Sequence, residues 1–128
     1  MEKSVHTYER MWNETKQVVG CAMRVLNHLG HGLQEKPYEN ALVVELAHQG
    51  IAYTQQPRFE VTYRGCLVGQ FVPDLVVADN LIVDAKVVDR LGDNERGQII
   101  NYLRVTGLPV GLLLNFRSSR LDWKRVVL

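Results

Sequence analysis

Apolar residues recur every three or four positions in the first part of the chain, which predicts helices. Over residues 16–29 this spacing indicates an amphipathic helix, with Asn13 as its N-cap. A second helix is predicted over residues 34–49, and Gly50 follows at the position where helices commonly end.

After Gly50 the apolar period changes to two residues, which is typical of β-strands. A third helix is predicted over residues 93–106, opened by Asp93 or Asn94 and closed by Gly107. The order is α-α-β-β-β-β-β-α-β-β, which indicates an α/β or α+β domain built around one mixed sheet. The predicted strands are 51–55, 59–63, 66–71, 75–77, 81–88, 109–116 and 121–127.

Length and composition indicate one ordinary globular domain. The chain has 128 residues, of which 46% are hydrophobic and 23% are charged, and no linker or repeat divides it. We therefore expect a single domain over residues 13–128, preceded by a polar extension over residues 1–12 that is either ragged or helical. Two cysteines, Cys21 and Cys66, are too few for a disulfide framework and are predicted to be buried reduced thiols.

The sequence predicts neither a membrane span nor a secretory leader. Its longest uncharged apolar stretch, residues 108–116, is far shorter than the roughly 18 residues that a transmembrane helix needs. The first four residues begin no apolar leader, so a cytoplasmic location without a membrane partner is expected.

The charge is nearly balanced overall but uneven along the chain. A net charge of +1 does not by itself indicate a nucleic-acid-binding protein. The last quarter is nevertheless basic, and its cations either form a solvated surface or face phosphates. These cations are Arg104, Arg117, Arg120, Lys124 and Arg125, against the single acid Asp122.

Charged residues interrupt the apolar run between residues 73 and 86. Asp84 and Lys86 are two positions apart, so they point to one face of a predicted strand. Asp74 joins that face if three residues, 78–80, connect the two strands, or if a bulge shifts the register by one residue. We predict one of these two arrangements, with Asn80 in the left-handed position of the three-residue loop. Two carboxylates and an ammonium group on one buried face suit Mg²⁺ or Mn²⁺. The alternative is a buried Asp84–Lys86 ion pair with Asp74 as a strand-entry cap.

The same residues resemble a known signature. Pro73-Asp74, nine intervening residues and Asp84-Ala85-Lys86 resemble the PD-(D/E)xK nuclease superfamily. Residues 32–38 match the Gly-x-x-Glu-x-x-Tyr motif of the small bacterial GxxExxY proteins in that superfamily, and residues 39–42, 98–102 and 106–116 are also similar. Residues 14–128 share this resemblance. It implies a restriction-endonuclease-like core, in which helices flank a central mixed sheet on both faces. Asp84 departs from the glutamate that is commoner there.

The resemblance implies roles for particular side chains. Asp74 and Asp84 would hold Mg²⁺ or Mn²⁺ and Lys86 would assist the reaction. In the superfamily a glutamate of the first core helix commonly completes the metal site. Here Glu35 or Glu39, on the second predicted helix of this chain, would do so. Gln98 would orient the lysine or the metal-bound water, and Tyr102 would touch substrate or simply pack. The remaining candidate nucleic-acid contacts are Arg104, Arg117, Arg120 and Lys124.

Three functions remain open from the sequence. The first is metal-dependent hydrolysis of nucleic acid, with DNA as the expected substrate. The second is a non-catalytic binding module in a DNA-processing or defence assembly, which the small size and near-neutral charge favour. The third is a structural protein with a buried ion pair. A homodimer would enlarge the surface available to a nucleic acid.

Overall fold

The computed structural model describes the backbone of residues 5–128 and the side chains of residues 9–128. Residues 1–4, part of the predicted extension, lie outside this description. The helices are α1 (Val5–Leu29), α2 (Glu35–His48) and α3 (Asp93–Thr106). The strands are β1 (Tyr53–Gln55), β2 (Phe59–Tyr63), β3 (Cys66–Phe71), β4 (Leu75–Val77), β5 (Leu81–Lys86), β6 (Val110–Asn115) and β7 (Asp122–Val127).

Helix α1 begins well before its predicted start. Asn13 lies inside the helix instead of capping it, because the apolar stripe continues upstream to Met11, whose side chain is buried. Thr15 lies on the same stripe and donates its hydroxyl to the Met11 carbonyl at 2.9 Å. Residues 5–12 are therefore one continuous helix with the rest of α1.

Five strands form the central sheet in the order β1-β4-β5-β6-β7, where β5 and β6 are parallel and the other pairs are antiparallel. The prediction of one sheet is wrong for β2 and β3, which pair only with each other. Most side chains of this hairpin are exposed. Its apolar side chains Phe59, Val61 and Phe71 pack against α3, so the hairpin buries them without joining the central sheet.

Helices cover both faces of the central sheet, as predicted. Helices α1 and α2 pack on one face, through the larger hydrophobic cluster. Helix α3 and the β2–β3 hairpin cover the other face. Gly111 of β6 allows α3 to approach closely, because a Cβ at this position would lie 2.6 Å from Ile99 Cδ1. Among the described helices, none combines the length and apolar character needed to cross a membrane.

The β4–β5 hairpin confirms the predicted parity. Val77 pairs with Leu81, so residues 78–80 form a three-residue connection and Asp74 lies opposite Asp84. The prediction that Asn80 is left-handed is wrong: Ala78 (φ 52°) and Asp79 (φ 57°) adopt that conformation. Asn80 is instead held by its side-chain amide, which donates to Glu14 Oε2 at 3.1 Å.

Some local predictions also require correction. Gly92, not Asp93 or Asn94, is the N-cap of α3, and its N–H donates to Glu95 Oε1 at 2.8 Å. Cys21 is buried, but Cys66 is exposed because it lies at the tip of the β2–β3 hairpin, outside both hydrophobic clusters.

Strand β5 ends at Lys86, two residues earlier than predicted. Beyond Lys86, the Asn115 side chain takes the place of the backbone hydrogen bonds between strands. Its Oδ1 accepts from the Val88 N–H and its Nδ2 donates to the Val88 carbonyl.

Candidate active site

The start of β4 and the end of β5 bring two carboxylates together. The Asp74 N–H donates to Asp84 Oδ1 at 3.0 Å, and the Ala85 N–H donates to Asp74 Oδ2 at 2.8 Å. Each carboxylate is thus oriented by a backbone group of the neighbouring strand. Asp84 is only 6% exposed and Asp74 is partly buried. Because the strands hold both groups, their separation does not depend on flexible side chains.

A third carboxylate, that of Glu39, reaches this pair from α2. Glu39 is 4% exposed, and its side chain lies within hydrogen-bonding reach of the Asp74 carboxyl. Its Oε2 accepts hydrogen bonds from Lys36 Nζ (3.1 Å), Gln55 Nε2 (2.7 Å) and Gln56 Nε2 (3.3 Å). The two glutamines were not predicted from the sequence, where nothing distinguishes them from ordinary polar residues at a strand end.

The environment of the carboxylates opposes their ionisation. Burial is the main cause that raises the pKa of Asp74 to about 7, and the negative charges of Asp84 and Glu39 raise it further. The hydrogen bond from the Ala85 N–H acts in the opposite direction and lowers this pKa. Burial also raises the pKa of Asp84, opposed by the Asp74 N–H and by the charge of Lys86. Buried acids that disfavour each other's charge are typical of functional sites, because a cation or proton relieves the repulsion.

Lys86 does not form the predicted alternative ion pair with Asp84. Among the described side chains, no ion pair joins Lys86 to a carboxylate, and its Nζ donates to Gln98 Oε1 of α3 at 3.3 Å. Gln98 therefore contacts the lysine, one of the two groups that it was expected to orient. The ammonium group lies on the same face of β5 as Asp84 and remains partly exposed.

Tyr102 lies one turn after Gln98 and packs against the β2–β3 hairpin. Its ring stacks on Phe71 with centroids 3.4 Å apart. Burial raises the pKa of the Tyr102 hydroxyl, and the charge of Asp84 adds to this effect, while a hydrogen bond with Gln98 opposes it. The structure thus gives Tyr102 a packing contact and brings it close enough to the acids to sense their charge.

Glu35 approaches the same end of the sheet from the first turn of α2. Its side chain is exposed, and Oε1 accepts a hydrogen bond from Val87 N–H at 3.3 Å. The two candidate glutamates therefore differ in position, since Glu39 reaches Asp74 whereas Glu35 contacts the backbone just beyond Lys86. The charge of Glu35 also contributes to the raised pKa of Asp84.

The donor set fits a hard divalent cation in its chemistry. Within the described residues, no group of three or more His, Cys, Asp or Glu side chains is placed to hold a metal ion. Mg²⁺ commonly takes only one or two carboxylates and keeps waters and phosphate oxygens as its other ligands. Asp74 and Asp84 supply such a pair, with hard oxygen donors in a site that disfavours uncompensated negative charge.

A cleft of about 760 Å³ opens at the same end of the sheet as the carboxylates. Its walls are residues 31–36, which connect α1 to α2, together with Val87 and Arg117. The cleft itself was not predicted from the sequence. The available signal was the Gly-x-x-Glu-x-x-Tyr spacing, whose first four residues fall within the wall formed by residues 31–36.

The structure separates the basic residues that were predicted to bind nucleic acid. Arg117 and Arg120 lie on the loop that follows β6, at the same end of the sheet as the acids. Lys124 lies near the start of β7, also toward this end. Arg104 is in the last turn of α3, which returns the chain to the opposite end of the sheet. Arg117 Nη2 forms an ion pair with Asp89 Oδ1 at 3.3 Å.

Sequence comparison identifies the family. Residues 12–126 match the PD-(D/E)XK nuclease superfamily, and the chain belongs to this superfamily. A search of curated protein sequences found no significant match.

Two solved structures are similar to this chain at low sequence identity. One is the crystal structure of SSO0001 (13% identity, TM-score 0.48), covering 88% of this chain and 76% of that one. Another is an alkaline exonuclease, LHK-Exo, from Laribacter hongkongensis (12% identity, TM-score 0.40), covering 83% of this chain and 75% of that one.

Proposed function

We propose that this protein hydrolyses phosphodiester bonds in nucleic acid, with DNA as substrate, and that it requires Mg²⁺ or Mn²⁺. The observation that carries the proposal is the hairpin register, which pairs Asp74 with Asp84 on one face and leaves Lys86 beside them. Membership in a nuclease superfamily supports the reaction class.

Asp74 and Asp84 are the proposed metal ligands. A bound divalent ion supplies two things there: it lowers the pKa of a coordinated water and neutralises phosphate charge. The two backbone hydrogen bonds keep the carboxylates in place before the ion arrives, so little reorganisation accompanies binding.

Lys86 is proposed to stabilise the negative charge that develops on the phosphate. Its ammonium is not neutralised by a paired carboxylate among the described residues, so its full charge is available. Gln98 Oε1 accepts a hydrogen bond from this ammonium group and so fixes the direction in which the flexible side chain extends.

Glu39 is the glutamate that we propose completes the site, because it contacts Asp74. Glu35 is proposed to hold the chain beyond Lys86 through Val87. We also propose that the protein is of the GxxExxY type, since Gly32 adopts φ +108°, Glu35 contacts the end of β5, and Tyr38 holds the α1–α2 connection.

The proposal is tested by cleavage of single- and double-stranded DNA and RNA with Mg²⁺, Mn²⁺ or chelator. We expect metal-dependent DNA cleavage by the wild type, and its loss in Asp84→Asn and Lys86→Ala. Asp79→Asn is the matched control: it removes the same charge from the turn of the same hairpin, where asparagine tolerates the positive φ.

The outcomes are distinct. Cleavage that survives both Asp84→Asn and Lys86→Ala would come from another protein and would contradict the assignment. Metal binding by the wild type without cleavage of any substrate would replace the enzyme with the non-catalytic binding module.

A further inference from the structure

The cleft formed by residues 31–36, Val87 and Arg117 lies at the same end of the central sheet as the proposed reaction centre. We infer that it binds a single strand of nucleic acid through its phosphates, on the side of the scissile bond that faces α2. This inference rests on the proposed function, but it concerns a separate set of side chains. Val87 directly follows Lys86 in the chain, which joins the cleft to the proposed centre.

Tyr38 makes the walls of the cleft rigid. Its hydroxyl donates to the Gly30 carbonyl at 2.6 Å and accepts from Leu33 N–H at 3.2 Å, so one buried side chain holds both ends of the connecting segment. Its ring stacks on Phe116 with centroids 4.5 Å apart and an interplanar angle of 6°. Phe116 directly precedes Arg117, so the same tyrosine supports the opposite wall.

Gly32 shapes the floor of this segment. Its φ of +108° lies in a region that side chains with a Cβ rarely adopt. The segment therefore turns sharply between α1 and α2 and leaves space where a regular connection would fill it. Because the walls of the cleft are already fixed, ordering them costs little free energy when a ligand binds.

The size of the cleft favours a single strand over a duplex, and its cationic side chains favour phosphates. About 760 Å³ is within the range of pockets that enclose small ligands, whereas a duplex is bound on an extended surface. His31, Lys36 and Arg117 supply donors for phosphate oxygens, and Glu35 is the single carboxylate among the lining residues. Lys36 is partly engaged by Glu39, which makes Arg117 the principal phosphate contact.

Arg117 is available for this role at low cost. Its present partner, Asp89, has a side chain that is 91% exposed, and exposed ion pairs contribute little. A phosphate can therefore replace Asp89 without breaking a stabilising contact.

The test measures binding of a fluorescent oligothymidylate by anisotropy, in chelator, over a range of salt concentrations. We expect Arg117→Ala to weaken binding about 3- to 10-fold and to reduce the salt slope by about one ion. Leu33→Trp, which fills the cleft without changing its charge, should weaken binding to a similar degree.

Arg10→Ala is the matched control. Arg10 is also exposed and forms a surface ion pair, with Glu14 at 4.0 Å, but it lies about 28 Å from the cleft end of α1 at about 1.5 Å per residue. It should bind like the wild type. A blunt DNA hairpin of the same length should bind more weakly than the oligothymidylate and respond less to Leu33→Trp.

Equal binding by the wild type, Arg117→Ala and Leu33→Trp would overturn the inference even if DNA cleavage is confirmed. Equal losses in Arg10→Ala would also overturn it, since attraction would then depend only on overall charge. Selective losses in the cleft variants of a protein that cuts no substrate would support the cleft and reject only the nuclease.

Discussion

The two ends of the central sheet both carry charged side chains and a cavity, but the surroundings of the charged groups differ. At the site end, defined by Asp74, Asp84 and Lys86, carboxylates are buried and face one another. At the opposite end, where α3 returns to β6, a smaller cavity of about 390 Å³ is lined by apolar residues and by Arg104 and Arg125.

Cations at the opposite end are placed where they stabilise packing. The Arg125 guanidinium lies over the Trp12 ring at 5.3 Å, and Lys16 Nζ lies at the same distance from that ring. Such contacts between a cation and an aromatic ring are favourable. The site end instead keeps a repulsion between buried acids, and this supports the proposal that the site binds a cation. Variants at the two ends should therefore change different properties.

The largest expected effect is on cleavage. Asp74→Asn removes a proposed metal ligand and should lower the rate of DNA cleavage on the order of 10²–10³-fold. Arg104→Ala at the opposite end should stay within about twofold. Single-turnover assays in Mn²⁺ measure both variants. A large loss in Arg104→Ala would mean that substrate contacts extend to the opposite end and would break the comparison.

The next largest effect separates the two glutamates. Glu39→Gln keeps the size of the side chain but removes a charge beside Asp74, and it should lower cleavage about 10- to 100-fold. Glu35→Gln keeps an oxygen for the Val87 N–H and should cost less than about fivefold. Metal titrations at fixed DNA concentration provide the measurement. The reverse order would assign the third acid of the site to Glu35.

Stability should change with pH at the site end. The folded Asp74 keeps its proton up to about pH 7, whereas an unfolded aspartate loses it near pH 3.8, so its contribution to stability falls as pH rises through this window. Asp74→Asn should therefore raise the free energy of unfolding by about 1 kcal/mol at pH 8, after allowance for solvent screening, and by little at pH 4. Urea unfolding at both pH values tests this. A loss of stability at pH 8 would contradict the proposed repulsion.

The smallest effect is expected at the opposite end. Trp12→Leu keeps an apolar side chain but removes the ring beneath Arg125 and Lys16, and it should lower the free energy of unfolding by about 0.5–1 kcal/mol. This loss should be the same at pH 5 and pH 8, and cleavage should be unchanged. A pH-dependent loss would show that the two ends are coupled.

The sequence by itself determined most elements and the identity of the acid pair. The bounds of β2, β3, β4 and α3 agree with the apolar periods and with the residues that end them. The pairing of Asp74 with Asp84 followed from counting three residues between two short strands, because side chains alternate strictly along a strand. These features are local, so the chain encodes them within a few residues.

Only the tertiary structure decided which distant groups meet. The contact of Glu39 with Asp74 spans 35 positions, and the hydrogen bonds from Gln55 and Gln56 depend on how α2 lies across the end of the sheet. The separation of the β2–β3 hairpin was likewise not predictable, since its apolar face suits either a sheet or α3. Periodicity records which face of an element is buried, but packing selects the partner. Here packing placed the third acid beside the predicted pair and the cleft at the same end of the sheet.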